Sequence, residues 1–195
     1  MLAGDVCVQA DVDRVVKAAL DAYGRIDILV NNAGLNDWFL PVHALDDDTW
    51  RSVMGVNVEG VMRLCRAVVP GMMERHSGAI VNVSSIGGLG GGASGFAYTT
   101  SKHAVIGMTR SLAWTYRAAG LRCNAVCPGG VVTNIGTTSI PRDEWGFEQL
   151  KPYHALAGRM AQPDEIAALI SWLASDEASN VNGAIVAADN GWTVA

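Results

Sequence analysis

The sequence predicts an α/β domain built on a mostly parallel sheet. Two observations carry that prediction. Short apolar runs alternate with amphipathic helical stretches from one end of the chain to the other. No repeat and no Pro/Gly/Ser-rich linker divides the 195 residues, a length that suits one core.

The elements follow in order. Residues 12–23 put Val12, Val15, Val16, Ala19, Leu20 and Tyr23 on one helical face, with Asp11 placed to cap the helix and Gly24 to end it. Ile26 to Val30 reads as a buried strand, stopped by Asn31-Asn32-Ala33-Gly34. Asp46, Asp47 and Asp48 favour the start of a long helical stretch that reaches about Glu74, with bends expected near Gly60 and Pro70. Ala79 to Val83 is a second strand, followed by a glycine-rich loop and a helix from about Phe96 to Ala118. Leu121 to Val126 is a third strand, ending at Cys127-Pro128-Gly129-Gly130. The segment 134–160 predicts no regular element, though Trp145, Phe147 and Tyr153 could form an apolar lid there. Pro163 opens a helix to about Ser175, and Gly183 to Ala188 closes the sheet.

Composition narrows the function. Half of the residues are apolar and 17% are charged, which excludes a disordered chain. The net charge of -5, with no basic run, argues against a nucleic-acid surface. No basic segment followed by an apolar stretch opens the sequence, and no apolar run is long enough to span a membrane, so a cytoplasmic protein is expected. Cys7, Cys65, Cys123 and Cys127 are too scattered for a disulfide framework. Cys123 and Cys127 lack a second ligand pair, so no metal site is expected.

In a parallel sheet the ligand lies beyond the carboxyl ends of the strands. Attention therefore falls on Asn31 to Gly34, Ser84 and Ser85, Pro128 to Thr133, and Asp189 to Gly191. Tyr98 and Lys102 stand four apart in a helical stretch and share a face. An ammonium beside a phenol lowers the phenol's pKa, fitting it to exchange a proton as a carbonyl and an alcohol interconvert. The plain alternative is a half-buried Tyr and a solvated Lys. Ser85, at a strand end 13 residues before Tyr98, could hold a substrate oxygen, or could satisfy loop backbone. Asn57, a mediocre helix former inside a helix, is either exposed or a buried amide supporting the Lys. Gly90 to Gly95 fits G-x-G-x-x-G between a strand and a helix, yet no acidic residue follows at the right distance. It reads as a substrate-side loop. His43, His76, His103 and His154 form no triad and read as surface or structural.

Together these residues resemble the short-chain dehydrogenase/reductase family, in its single-domain branch, from about Asp5 to Gly191. Asn31-Asn32-Ala33-Gly34 is similar to the family's NNAG motif. Asn57, Ser85, Tyr98 and Lys102 match its catalytic Asn, its Ser and its Tyr-x-x-x-Lys pair. Pro128 to Thr133 looks like the loop that contacts the nicotinamide carboxamide, and Asp5-Val6 like the pair beside the adenine. Ala188 to Trp192 resembles the closing Asp-Gly-Gly-Trp pattern, with Asn190 where Gly is usual.

The resemblance implies a Rossmann-like doubly wound sheet and an oxidoreductase using NAD or NADP on a small carbonyl or secondary alcohol. Tyr98 would be the general acid/base, Lys102 would tune it and hold the nicotinamide ribose, Ser85 would place the substrate, and Asn57 would join a proton relay. Asn32, Ala33, Gly34, Pro128, Gly129, Val131 and Thr133 would contact the cofactor, with Asp5 and Val6 at its adenine. A homodimer or homotetramer through the helices holding Asn57 and Tyr98 is implied as well. The family pattern begins with a strand, a TGxxxGxG turn, a helix and a second strand, none of which precedes Asp5 here. The expectation is an N-terminally truncated domain missing its first βαβ unit, a fragment or a late-started gene model, with cofactor binding weakened or lost. The remnant of the family's third strand, near Leu2 to Val6, would lack a neighbour, and the strand at Ile26 to Val30 would become a naked edge. Two other readings stand beside this one: a non-catalytic binding or assembly protein with a relic site, and a sugar-nucleotide epimerase or dehydratase, for whose substrate domain the region after Thr133 is too short.

Overall fold

The computed structural model describes residues 2–135 and 139–194. Four parallel strands form one sheet in the order β1-β2-β3-β4: β1 (Ile28–Asn31), β2 (Gly78–Val83), β3 (Leu121–Pro128) and β4 (Ile185–Ala188). The helices are α1 (Gln9–Tyr23), α2 (Asp47–Met54), α3 (Val61–Glu74), α4 (Phe96–Tyr116), α5 (Glu144–His154) and α6 (Pro163–Ala174).

Local chemistry explains most boundaries. α1 starts at Gln9, ahead of the expected Asp11 cap, because the Asp11 carboxylate turns back to accept the amide of Asp5 at 2.9 Å and the Arg14 guanidinium at 2.7 Å. Gly24, at φ 75°, ends the helix, its amide donating to the Leu20 carbonyl. Asp46 caps α2, accepting from the Thr49 amide at 2.7 Å. The bend expected near Gly60 appears as a π-helical turn over Gly55–Gly60, between α2 and α3. Pro70, in contrast, lies inside α3, which continues through it. Residues 2 to 6 form no strand. The Asp5 carboxylate instead closes a turn on the Cys7 amide at 2.8 Å. Asn190 stands at φ 56°, a left-handed position that Asn tolerates, which accounts for its place in a turn where Gly is usual.

Two apolar clusters sandwich the sheet. Val61, Cys65, Val69 and Met72 of α3, with Ala113 of α4, pack on Ile80, Leu121 and Cys123. On the other face Ile166 and Leu173 of α6 pack on Val81 and Val126. Arg122, on β3, donates to the carbonyls of Leu173, Ala174, Ser175 and Val181, closing the C-terminal end of α6 against the sheet. Val30 is in register with Val81 but lies beyond the reach of that cover; Ile28 and Val30 are 49% and 39% exposed. Among the described residues, no strand pairs with the outer edge of β1.

Candidate active site

The ends of β1, β2 and β3 open onto one cleft of about 1040 Å³. Asn32, Ala33 and Gly34 enter it after β1, Ser84 and Ser85 after β2, and Pro128, Gly129, Val131 and Thr133 after β3. Tyr98 and Lys102 reach it from α4.

Reciprocal bonds dock α4 on the end of β2. Ser84 Oγ donates to the Lys102 carbonyl at 2.9 Å, and Lys102 Nζ donates to the Val83 carbonyl at 2.9 Å. The ammonium lies 5.4 Å from the centre of the Tyr98 ring. The phenol hydrogen-bonds Ser85, whose Oγ also accepts the Gly87 amide at 3.1 Å. Gly87 packs against both groups: a Cβ there would stand 3.5 Å from Ser85 Oγ and 3.6 Å from the Tyr98 ring.

The electrostatics of this cluster differ from the expectation. Burial pushes the Tyr98 phenol up to about 12; the Ser85 bond opposes this and the Asp37 charge adds to it. Burial brings the Lys102 ammonium down to about 8. Desolvation dominates at both groups, so the phenol is held protonated and the amine gives up its proton more readily than a free lysine.

Asn57 does not line the cleft. It is buried in the π-helical turn, where its Nδ2 donates to the Leu35 carbonyl and to Ser101 Oγ while its Oδ1 accepts the Leu35 amide. It thus ties the loop after β1 to α4. Gly34 lies between Asn57 and Lys102; a Cβ there would come within 3.5 Å of Asn57 Oδ1 and of Lys102 Nζ. A ligand can therefore approach the backbone at the base of the cleft. Asn31 points away, into a buried polar ladder: its Nδ2 donates to Asn82 Oδ1, and Asn82 Nδ2 donates to Thr109 Oγ1. Asp5 and Val6 lie outside the cleft, Asp5 in its exposed turn and Val6 against Gly60.

Asn36, Phe39, His154 and Met160 face the cleft although the sequence marked none of them as site residues; Ser94 of the expected substrate-side loop and Trp192 of the closing pattern face it too. His154 is a wall residue, its Nε2 3.0 Å from the Ala93 carbonyl and its ring against Phe39 and Trp192. Of the expected lid, Phe147 packs on Phe39 and Tyr153 stacks on Trp192, whereas Trp145 is 62% exposed. The glycine-rich run opens α4, but that helix start is filled from within. The buried Asp37 carboxylate accepts the Tyr98 amide at 2.9 Å, and the Leu40 carbonyl accepts the Phe96 amide. A helix N-terminus that already holds an anion offers little to a phosphate.

No group of three or more possible metal ligands gathers among the described residues, and no described helix is long and apolar enough to cross a membrane. The residues of the cleft suit the nicotinamide end of a dinucleotide: backbone bared at Gly34, a buried amine and a hydroxyl pair on one side, and an open glycine-containing loop after β3 on the other.

Comparison with known proteins gives consistent likenesses. Residues 1–193 match the family model described as Enoyl-(Acyl carrier protein) reductase. The chain is 43% identical to 3beta-hydroxysteroid dehydrogenase 2 of Eggerthella lenta, over 97% of this chain and 73% of that protein. It is 42% identical to short-chain dehydrogenase/reductase cdmF of Talaromyces verruculosus, over 97% of this chain and 78% of that protein. Among solved structures it is similar to a gluconate 5-dehydrogenase from Burkholderia cenocepacia in complex with NADP and tartrate. The TM-score is 0.85 and the identity 31%, over 98% of this chain and 74% of the other.

Proposed function

This chain belongs to the short-chain dehydrogenase/reductase family, and we propose that it interconverts a carbonyl and a secondary alcohol with NAD or NADP, Tyr98 serving as general acid/base. The observation that carries the reading is the cluster of Ser85, Tyr98 and Lys102 at the floor of one cleft, tied to the strand ends by Ser84 and Val83. When bound, the nicotinamide cofactor would supply or take the hydride. Ser85 and Tyr98 hold the substrate oxygen, and the phenol gives its proton to that oxygen as a carbonyl is reduced. Lys102 fixes the phenol's surroundings and offers its ammonium to the ribose hydroxyls, while Asn57 steadies the loop that bears Gly34.

The substrate we infer is apolar, a cyclic or acyl-type ketone or its alcohol. Phe39, Met160 and Trp192 on the cleft wall support this, as does the name of the Eggerthella lenta relative. We also infer weak cofactor binding by the 195-residue chain. Its one glycine-rich run opens a helix whose N-terminus Asp37 fills, leaving no comparable cradle for a pyrophosphate among the described residues. Titration with NADH and NADPH by fluorescence checks this, and micromolar affinity for either would overturn it.

The central test is Tyr98→Phe. Carbonyl reduction should fall by about a thousandfold or more while cofactor affinity changes less than about threefold. A variant that keeps most of its rate would remove Tyr98 from the role.

A further inference from the structure

We propose that Asp37 is a positioning residue for proton transfer at Tyr98, tying the loop that follows Gly34 to the first turn of the helix that carries the phenol. The proposal rests on the reading of Tyr98 as general acid/base.

Asp37 is fully buried and makes no ion pair among the described residues. Its partners are amides. One carboxylate oxygen accepts from the Tyr98 amide at 2.9 Å, across 61 residues of sequence, and the other from the Phe39 amide at 3.2 Å. Gly95, just before the helix, has no room for a side chain: a Cβ there would meet the two carboxylate oxygens at 2.5 and 2.6 Å. The anion sits where the helix dipole favours it.

The loop it holds is strained. Trp38 and Phe39 stand consecutively in the left-handed region, at φ 53° and 60°, a conformation bulky residues rarely adopt and one that costs roughly 1–3 kcal/mol for each. A loop of that kind needs anchors, and Asp37 supplies one to each side: Phe39, on the cleft wall, and Tyr98, at its floor. One carboxylate therefore sets the spacing between the substrate wall and the proton donor.

The carboxylate also acts at a distance. Burial is the larger cause of the raised phenol, and the Asp37 charge adds to it. Burial pushes the Asp37 carboxyl up as well, opposed by its bonds from the Tyr98 and Phe39 amides. The other charged or titratable groups facing this corner are Lys102, one turn further along α4, Arg142, stacked 3.5 Å from the Trp38 ring, and His154, against Phe39. None of them is removed by a substitution at Asp37.

The test uses Asp37→Asn and Asp37→Ser, which keep an oxygen acceptor for the helix and remove the charge. In the ligand-free chain, the Tyr98 phenol is followed by ultraviolet difference titration with Tyr98→Phe as the blank. Both variants should lower its ionisation midpoint below the parent's, burial still holding it above that of a free phenol. Where the parent turns over, kcat for reduction should fall about tenfold or more, with cofactor KM changed less than about threefold. The idea is overturned if the variants fold and keep the parent's midpoint and kcat, or if neither variant folds, since Asp37 would then be a structural cap alone. The titration requires no turnover, so an inactive parent would refute the functional reading without deciding the fate of Asp37.

Discussion

Lys102 shows how much one side chain can cost the fold it serves. Only 4% of it is exposed, and burial lowers its ammonium from 10.5 to about 8. The unfolded chain therefore binds a proton that the folded chain gives up between about pH 8 and 10.5, and this group's contribution makes stability rise with pH across that window. At neutral pH the buried charge costs about 3 kcal/mol, against which its bond to the Val83 carbonyl returns about 1. Lys102→Met should accordingly raise stability by about 2 kcal/mol at pH 7 while abolishing turnover, a result that denaturant melts and rate assays would show side by side. Tyr98 gives a second expectation at this scale. With its phenol held protonated up to about 12, alcohol oxidation, which needs the phenolate, should climb about tenfold per pH unit through the neutral range, and carbonyl reduction should not. Initial rates in both directions across pH check it. The residue types and spacing of Ser85, Tyr98 and Lys102 were readable because a strand end and a four-residue helical step place them together. Asp37 was not readable. Nothing in a loop aspartate reveals an amide partner 61 residues away.

Among the elements, α5 is the one the sequence concealed. Its apolar residues follow no helical stripe and Pro152 lies within it, yet it is held by its ends. Asp143 accepts the Gly146 amide at 2.6 Å, Glu144 stands in the first turn, and Lys151 and His154 in the last. Tertiary contacts complete it: Trp192 Nε1 donates to the Tyr153 carbonyl at 2.8 Å and its ring stacks on Tyr153 at 5.4 Å. Trp192→Ala should therefore release the C-terminal half of α5, raising substrate KM about fivefold with kcat nearly unchanged and Tm lower by a few degrees. Steady-state kinetics with a thermal melt would decide it. The link between α4 and β3 has a stricter requirement. Gly120 stands at φ 74°, and a Cβ there would press on the His76 carbonyl oxygen. Gly120→Ala should cost more than about 3 kcal/mol in a urea melt, since neither the backbone angle nor the opposing backbone can yield cheaply.

At the scale of the whole molecule, the parallel sheet followed from alternating elements alone, because parallel neighbours need helical crossovers. What the alternation did not reveal was how unevenly the sheet is covered. α3 and α4 shelter one face from β1 to β3, while α6 shelters the other from β2 to β4. Phe96 and Trp114 of α4 are 45% and 70% exposed, on the helix through which we propose a homodimer or homotetramer. Light scattering on the purified chain tests it, and a monomer at high concentration would set it aside.

The uncovered side of β1 bears on how long such a molecule lasts in a living cell. Ile28 and Val30 present to water a patch of branched aliphatic carbon beside backbone that no described strand pairs, the chemistry by which chaperones and proteases recognise unfinished chains. For the chain of described residues, the expected outcome is that this surface, and not only opening of the core, limits its half-life. Replacing both residues with Thr should lengthen its half-life in a pulse-chase experiment while leaving its melting temperature almost where it was.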